Sequence, residues 1–121
     1  MILPMNLEKL EEICMNLAGT TQDIKWEDDL CFLIGEKMYC TANLTMPTMI
    51  SFKVPSEEFD DLISRVGIFP ASYLARYHWV TVKDLSVFGE KEWQHYISQS
   101  YDLVYSKLSK KMKKAISEKH Q

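Results

Sequence analysis

The chain has 121 residues, 46% hydrophobic and 26% charged, enough for one real core and too few for two. That balance excludes a disordered or fibrous body. The net charge of −3 conceals a polarity: residues 1–106 hold 8 Lys and Arg against 16 Asp and Glu, whereas residues 107–121 hold 6 Lys against the single Glu118. A single domain over 1–121 is expected, with 109–121 a basic C-terminal extension.

Met1 to Met5 is apolar but short, without a basic flank or a small-residue cleavage site, so neither a signal peptide nor a membrane span is expected there. No other long apolar run follows. The expected setting is cytoplasmic, with no membrane partner. Cys14, Cys31 and Cys40 are odd in number and lack CxxC spacing, which suits reduced, buried thiols better than a zinc or thioredoxin-like site.

In chain order, Asn6 can cap a helix whose stripe is Leu7, Leu10, Ile13, Cys14 and Leu17 and which ends near Gly19, with Glu8, Glu11 and Glu12 opposite. From Ile24 to Val54 the pattern changes to short strand-like runs. Leu30 to Ile34 and Met38 to Leu44 flank Gly35-Glu36-Lys37, a hairpin in which Gly supplies positive φ. Thr48 to Val54 is a third strand and Ile24 to Trp26 a further candidate. Ser56 is read as the cap of a second helix, with Phe59, Leu62, Ile63 and Val66 buried and Gly67 as its end. Ile68 to Tyr77 contains Pro70 and reads as a loop with a short turn; His78 to Val82 returns to strand. The last helix is expected from Glu90 to Leu108, presenting Trp93, Tyr96, Ile97, Ser100, Tyr101, Val104 and Tyr105. The fold class is α+β, an antiparallel sheet packed with helices in the order α-β-β-β(-β)-α-β-α.

Residues able to carry chemistry give no catalytic constellation. His78, His95 and His120 stand in no diagnostic context beside a Ser or Cys, and the cysteines sit on apolar faces rather than in the electropositive settings that make a thiolate. Glu92 and His95 at i, i+3 are half of a carboxylate-bridged metal motif, whose other half is missing. Glu8, Glu11 and Glu12 could collect a hard cation, but such a face is ordinarily solvated. Gly19, Gly35, Gly67 and Gly89 are isolated, so no phosphate loop exists. No cofactor, metal or enzymatic activity is called for. Tyr73, Tyr77 and Trp79, with Arg76 and His78, mix planar groups and donors as recognition surfaces do, with core packing as the plainer reading. Lys107, Lys110, Lys111, Lys113 and Lys114 form the strongest cluster. Spread around a helix, each could neutralise a phosphate.

The run Gly35-Glu36-Lys37-Met38-Tyr39, then Ser51-Phe52-Lys53-Val54-Pro55, then Phe69-Pro70-Ala71-Ser72-Tyr73-Leu74, then His78-Trp79-Val80, then Ser100-Tyr101 ahead of Lys107-Leu108, resembles the MmcQ/YjbR family of small bacterial proteins. The resemblance implies a fold related in outline to frataxin and the type III secretion chaperones. It also implies DNA binding, since members are commonly described as DNA-binding proteins with a double-wing-like arrangement of hairpins. On that basis Lys37 lies at a wing tip, Lys53 on the following strand, and Arg76 and Trp79 near the later hairpin. The wings carry Glu36, Asp84 and Glu90 beside Lys37, Lys83 and Lys91, so they are locally neutral and duplex affinity at physiological salt should be weak. The leading expectation is a non-enzymatic DNA-binding module using Lys37, Lys53, Arg76 and the C-terminal lysines. The alternative is a protein partner or homodimer seated on Tyr73, Tyr77 and Trp79.

Overall fold

The computed structural model describes residues 4–119. Helix α1 (Leu7–Met15) leads into four strands, β1 (Thr21–Lys25), β2 (Asp29–Ile34), β3 (Lys37–Asn43) and β4 (Ile50–Lys53). Helix α2 (Ser56–Ile63), strand β5 (Ile68–Pro70), a 3₁₀ turn (Ala75–Tyr77) and strand β6 (Trp79–Val82) follow, then a second 3₁₀ turn (Leu85–Val87) and helices α3 (Glu90–Ser106) and α4 (Lys110–Lys119). All six strands form one antiparallel sheet in the order β1-β2-β3-β4-β6-β5. The α+β class and the antiparallel sheet read from the sequence are thus what the chain adopts.

Local chemistry explains most boundaries. The Asn6 side chain accepts the Lys9 N–H at 2.8 Å, as a cap should. Gly35 and Glu36 both take positive φ between β2 and β3, which gives a tight hairpin. Three expectations need correction. Val66, read as part of the buried stripe of α2, lies beyond the helix end at Ile63 and is 90% exposed. Pro55, not Ser56, is the N-cap of α2, and it makes no side-chain cap bond. The stretch read as a loop contains β5, a three-residue edge strand where Pro70 is tolerated because an edge needs no second ladder.

One row of side chains crosses the sheet as Ile24, Leu30, Ala42, Ile50, Val82 and Ile68. Its members from β2 to β5 are buried, together with Phe32, Cys40, Phe52 and Val80, under α1, α2 and α3. Trp93 and Ile97 of α3 enter this core, and the Phe52 ring meets Trp93 edge-on at 6.1 Å. A β-bulge between Phe32 and Leu33 makes Tyr39 the extra residue of β3 and turns it inward. There its hydroxyl lies 2.8 Å from Thr20 Oγ1, and burial pushes its pKa far up. The β3–β4 ladder ends at Cys40 and Phe52, beside this bulge. Ser100 of α3 fills the gap: its hydroxyl accepts the Lys53 N–H at 2.9 Å and donates to the Tyr39 carbonyl at 2.5 Å. A buried serine thereby replaces a missing ladder bond.

The basic extension is a docked helix rather than a continuation of α3. The chain turns after Ser106 with Lys107 as C-cap. Ser109 starts α4 by accepting the Met112 N–H at 3.1 Å. Met112 and Ile116 then pack where Gly35 and Gly19 lack side chains: a Cβ on Gly35 would stand 2.9 Å from Met112 Cγ, and one on Gly19 2.7 Å from Ile116 Cγ2. Both glycines have positive φ, so the sequence supplies flexibility and clearance at the same two positions.

Candidate nucleic-acid interface

The lysines singled out from the sequence gather at one end of the sheet, where β3 starts, β4 stops and α3 hands over to α4. Lys53 is half-buried, and its ammonium donates to the Tyr77 carbonyl at 2.7 Å. Burial, and then the like charge of Lys107, lower its pKa. The guanidinium of Arg76 lies over the Tyr77 ring, 4.9 Å from its centroid. Tyr77 therefore joins Lys53 and Arg76 through two different parts of one residue. Lys37 is exposed just beyond Gly35, at the hairpin tip that packs on Leu108 and Met112.

Helix α4 adds the rest with an uneven distribution. Lys110, Lys111 and Lys114 are exposed, opposite the Met112–Ile116 face. Lys113 instead folds back, reaching the Ser106 carbonyl at 3.3 Å and lying 5.4 Å from the Tyr105 ring centroid. Packing thus selects an outward stripe from lysines that the helix alone would spread around its circumference. No acidic residue occupies the first turn of α4, so Lys110 and Lys111 add to the positive end of the helix dipole. Among the described residues the ion pair in this group is Lys114 with Glu118, at 4.0 Å and well exposed.

The three aromatic residues expected to share a surface do not. Tyr73 is 97% exposed and Tyr77 49%, but Trp79 is 5% exposed. As the first residue of β6, Trp79 pairs with Lys53 and is covered rather than presented. His78, expected on that strand, instead takes φ 65 at the end of the 3₁₀ turn, with its ring edge-on to Phe59 at 5.6 Å. His95 is exposed beside Tyr96. Glu92 is occupied as a helix cap, accepting the Gly89 N–H at 3.3 Å. His120 lies outside the described residues. Among the described residues, no three His, Cys, Asp or Glu side chains are arranged to hold a metal ion. Cys14, Cys31 and Cys40 are free and buried, and burial pushes the thiols of Cys31 and Cys40 up, away from the reactive thiolate.

Sequence reasoning missed a second feature, on the face of the sheet opposite the helices. There a row runs Asp23, Cys31, Thr41, Ser51, Thr81 and Phe69 across all six strands. Ser51 and Thr81 hydrogen-bond through their hydroxyls at 2.8 Å. Over this row lies a groove of about 580 Å³ lined by Trp26 and Tyr73, neither buried in the core. The only sequence signal is that alternate residues of β3, β4 and β6 are polar.

A helix-backed antiparallel sheet with a partly open outer face and a basic end defines a small open-sheet α+β domain. A family model described as YjbR matches residues 15–103, and the chain belongs to the YjbR family. It is similar to a crystal structure of a Deinococcus radiodurans protein with a DUF419 domain, at 25% identity and TM-score 0.83, over 93% of this chain and 88% of that one. It is also similar to a crystal structure from Pseudomonas syringae, at 25% identity and TM-score 0.69, over 82% of this chain and 98% of that one. No functionally curated protein matches the chain. No described helix is long and apolar enough to cross a membrane.

Proposed function

We propose that this YjbR-family domain is a non-enzymatic module that binds DNA through its basic end. The observation that carries this reading is the pairing of like charges there. Lys53 is held half-buried with Lys107 as its electrostatic neighbour, and the lysines of α4 extend the same positive region. Uncompensated like charges oppose folding, and an anionic ligand removes that repulsion.

The remaining molecule steers the geometry. Residues 1–106 are acidic in total, so the long-range field of the body steers a duplex toward the basic end. Glu36 beside Lys37 and Asp84 beside Lys83 keep the hairpin tips close to neutral, which favours sequence-independent phosphate contacts over base reading. The three buried thiols suit a reducing, cytoplasmic setting. A protein partner on the aromatic surface is the weaker reading, because burial of Trp79 removes one of its three members.

The test is duplex binding by fluorescence anisotropy across a salt series, with the wild type beside a variant carrying Gln at Lys107, Lys110, Lys111 and Lys114. Each lost phosphate contact should flatten the log–log salt slope by about 0.9, so the variant should lose roughly 3–4 of that slope. Equal slopes for the two proteins, or no wild-type binding at about 50 mM salt, contradict the reading.

A further inference from the structure

The groove on the outer face of the sheet is built differently from a surface that merely faces solvent. Three adjacent strands present hydroxyls in one row, Thr41, Ser51 and Thr81, with the last two bonded to each other at 2.8 Å. Met38 and Met49 supply apolar floor, and Asp29 and Lys83 supply opposite charges in the same groove. Trp26, 68% exposed, forms one wall, and Tyr73, 97% exposed, another. Both stand at positive φ, 50° and 66°.

Those backbone angles matter because left-handed geometry is unfavourable for a non-glycine residue. Glycine, Asn or Asp would meet the same turns at lower cost. Here two large aromatic residues occupy them and leave their rings in water, giving up the burial that normally compensates an aromatic residue. Strain and exposed rings coincide at two separate loops that border one groove.

We propose that this groove binds single-stranded nucleic acid, with bases stacked on Trp26 and Tyr73 and their edges over the Thr41–Ser51–Thr81 row. Aromatic rings projecting from a sheet face hold unpaired bases through their flat faces, whatever the base. The balanced charge of the floor fits the neutral base moieties. Asp29 can accept from the exocyclic amine of a base, while Lys53 and Lys83, from the outer-facing positions of β4 and just after β6, flank the row on opposite sides and suit phosphates. A duplex cannot use this site, because its bases are stacked on one another. The inference rests on the nucleic-acid reading above and adds to it the strand state of the ligand.

Trp79 and Trp93 are buried and Trp26 is exposed, so a change in tryptophan emission on ligand addition reports on the groove. An unstructured mixed-sequence single strand and a hairpin duplex are titrated into wild type, Trp26→Ala, Trp26→Phe and Tyr73→Ala, with thermal melting to confirm that each variant folds. The expected result is quenching of wild-type emission by the single strand, and a loss of about 5- to 100-fold in its affinity on either Ala substitution. Trp26→Phe should recover most of that loss, and duplex affinity should change less than twofold. Single-strand affinity indifferent to both Ala substitutions overturns the inference while leaving the basic end intact as a duplex site. A homo-oligomer that Trp26→Ala dissolves assigns the groove to a second copy of the chain and also overturns it. Failure of both ligands to bind at low salt overturns this inference and the broader reading together.

Discussion

The two faces of the sheet are made from alternate residues of the same strands and are covered to different extents: Cys31, Leu33 and Trp79 of the outer face are buried, but the hydroxyl row between them is not. Facing the helices, Phe32, Cys40, Ile50, Phe52 and Val80 are fully buried. Facing away, Thr41, Ser51 and Thr81 are only half-buried, in a groove without a covering helix. A period of two separates stability from availability. Substitutions on the inner face should therefore act on folding, and those on the outer face and basic end on binding.

The largest effect should come from Trp93→Ala, which empties a fully packed site against Phe52 and Phe88. A loss of about 3–5 kcal/mol is expected in urea denaturation. Ser100→Ala removes the hydroxyl joining Lys53 to Tyr39 and leaves a donor and an acceptor unpaired. It should cost about 1–3 kcal/mol; a loss below the error of the measurement would mean that β3 and β4 can close on each other without it. Gly35→Ala combines positive φ with a Cβ 2.7 Å from Leu108. About 1–2 kcal/mol should be lost, with faster proteolysis between α3 and α4 as α4 loosens.

Lys107→Gln should move stability the other way. Lys53 has a folded pKa below its unfolded value of 10.5, so between the two values the unfolded chain binds more protons and stability rises with pH. Below that window the Lys53 ammonium is an unfavourable charge. Removing Lys107 should thus narrow the window and raise stability at neutral pH by roughly 0.2–1 kcal/mol, while weakening duplex binding. Unchanged pH dependence above neutrality would show that burial alone sets the Lys53 shift. Smallest of all, Thr81→Ala on the outer face should change stability by no more than about 0.5 kcal/mol.

The inner face was the legible half. Apolar periodicity, the Asn6 cap and the Gly35 hairpin are local signals, and the chain follows them. Strand β5 was illegible because it has three residues and ends in a proline. The break between α3 and α4 carries no Gly or Pro; it is set by Met112 and Ile116 finding Gly35 and Gly19 far back in the chain. Local sequence leaves Trp79 between core packing and a recognition surface, since its neighbours Tyr77 and His78 are polar, and its burial is decided by strand pairing. The positive φ of Trp26 and Tyr73 runs against their backbone preference, so no propensity could point to them.

Of the lysines proposed for DNA contact, their clustering was visible in the sequence, but the selection among them was not. That Lys113 turns inward while Lys110, Lys111 and Lys114 turn outward follows only from how α4 docks.

The most direct test of the division between faces is a backbone and indole amide NMR titration of the full chain with a short single strand and, separately, a short duplex. Single strand should shift the Trp26 indole and the amides of Thr41, Ser51, Tyr73 and Thr81, duplex should shift Lys53 and the first turn of α4, and both should leave α1 unmoved. Shifts concentrated on α1 and the inner face, or none with either ligand, would contradict the account.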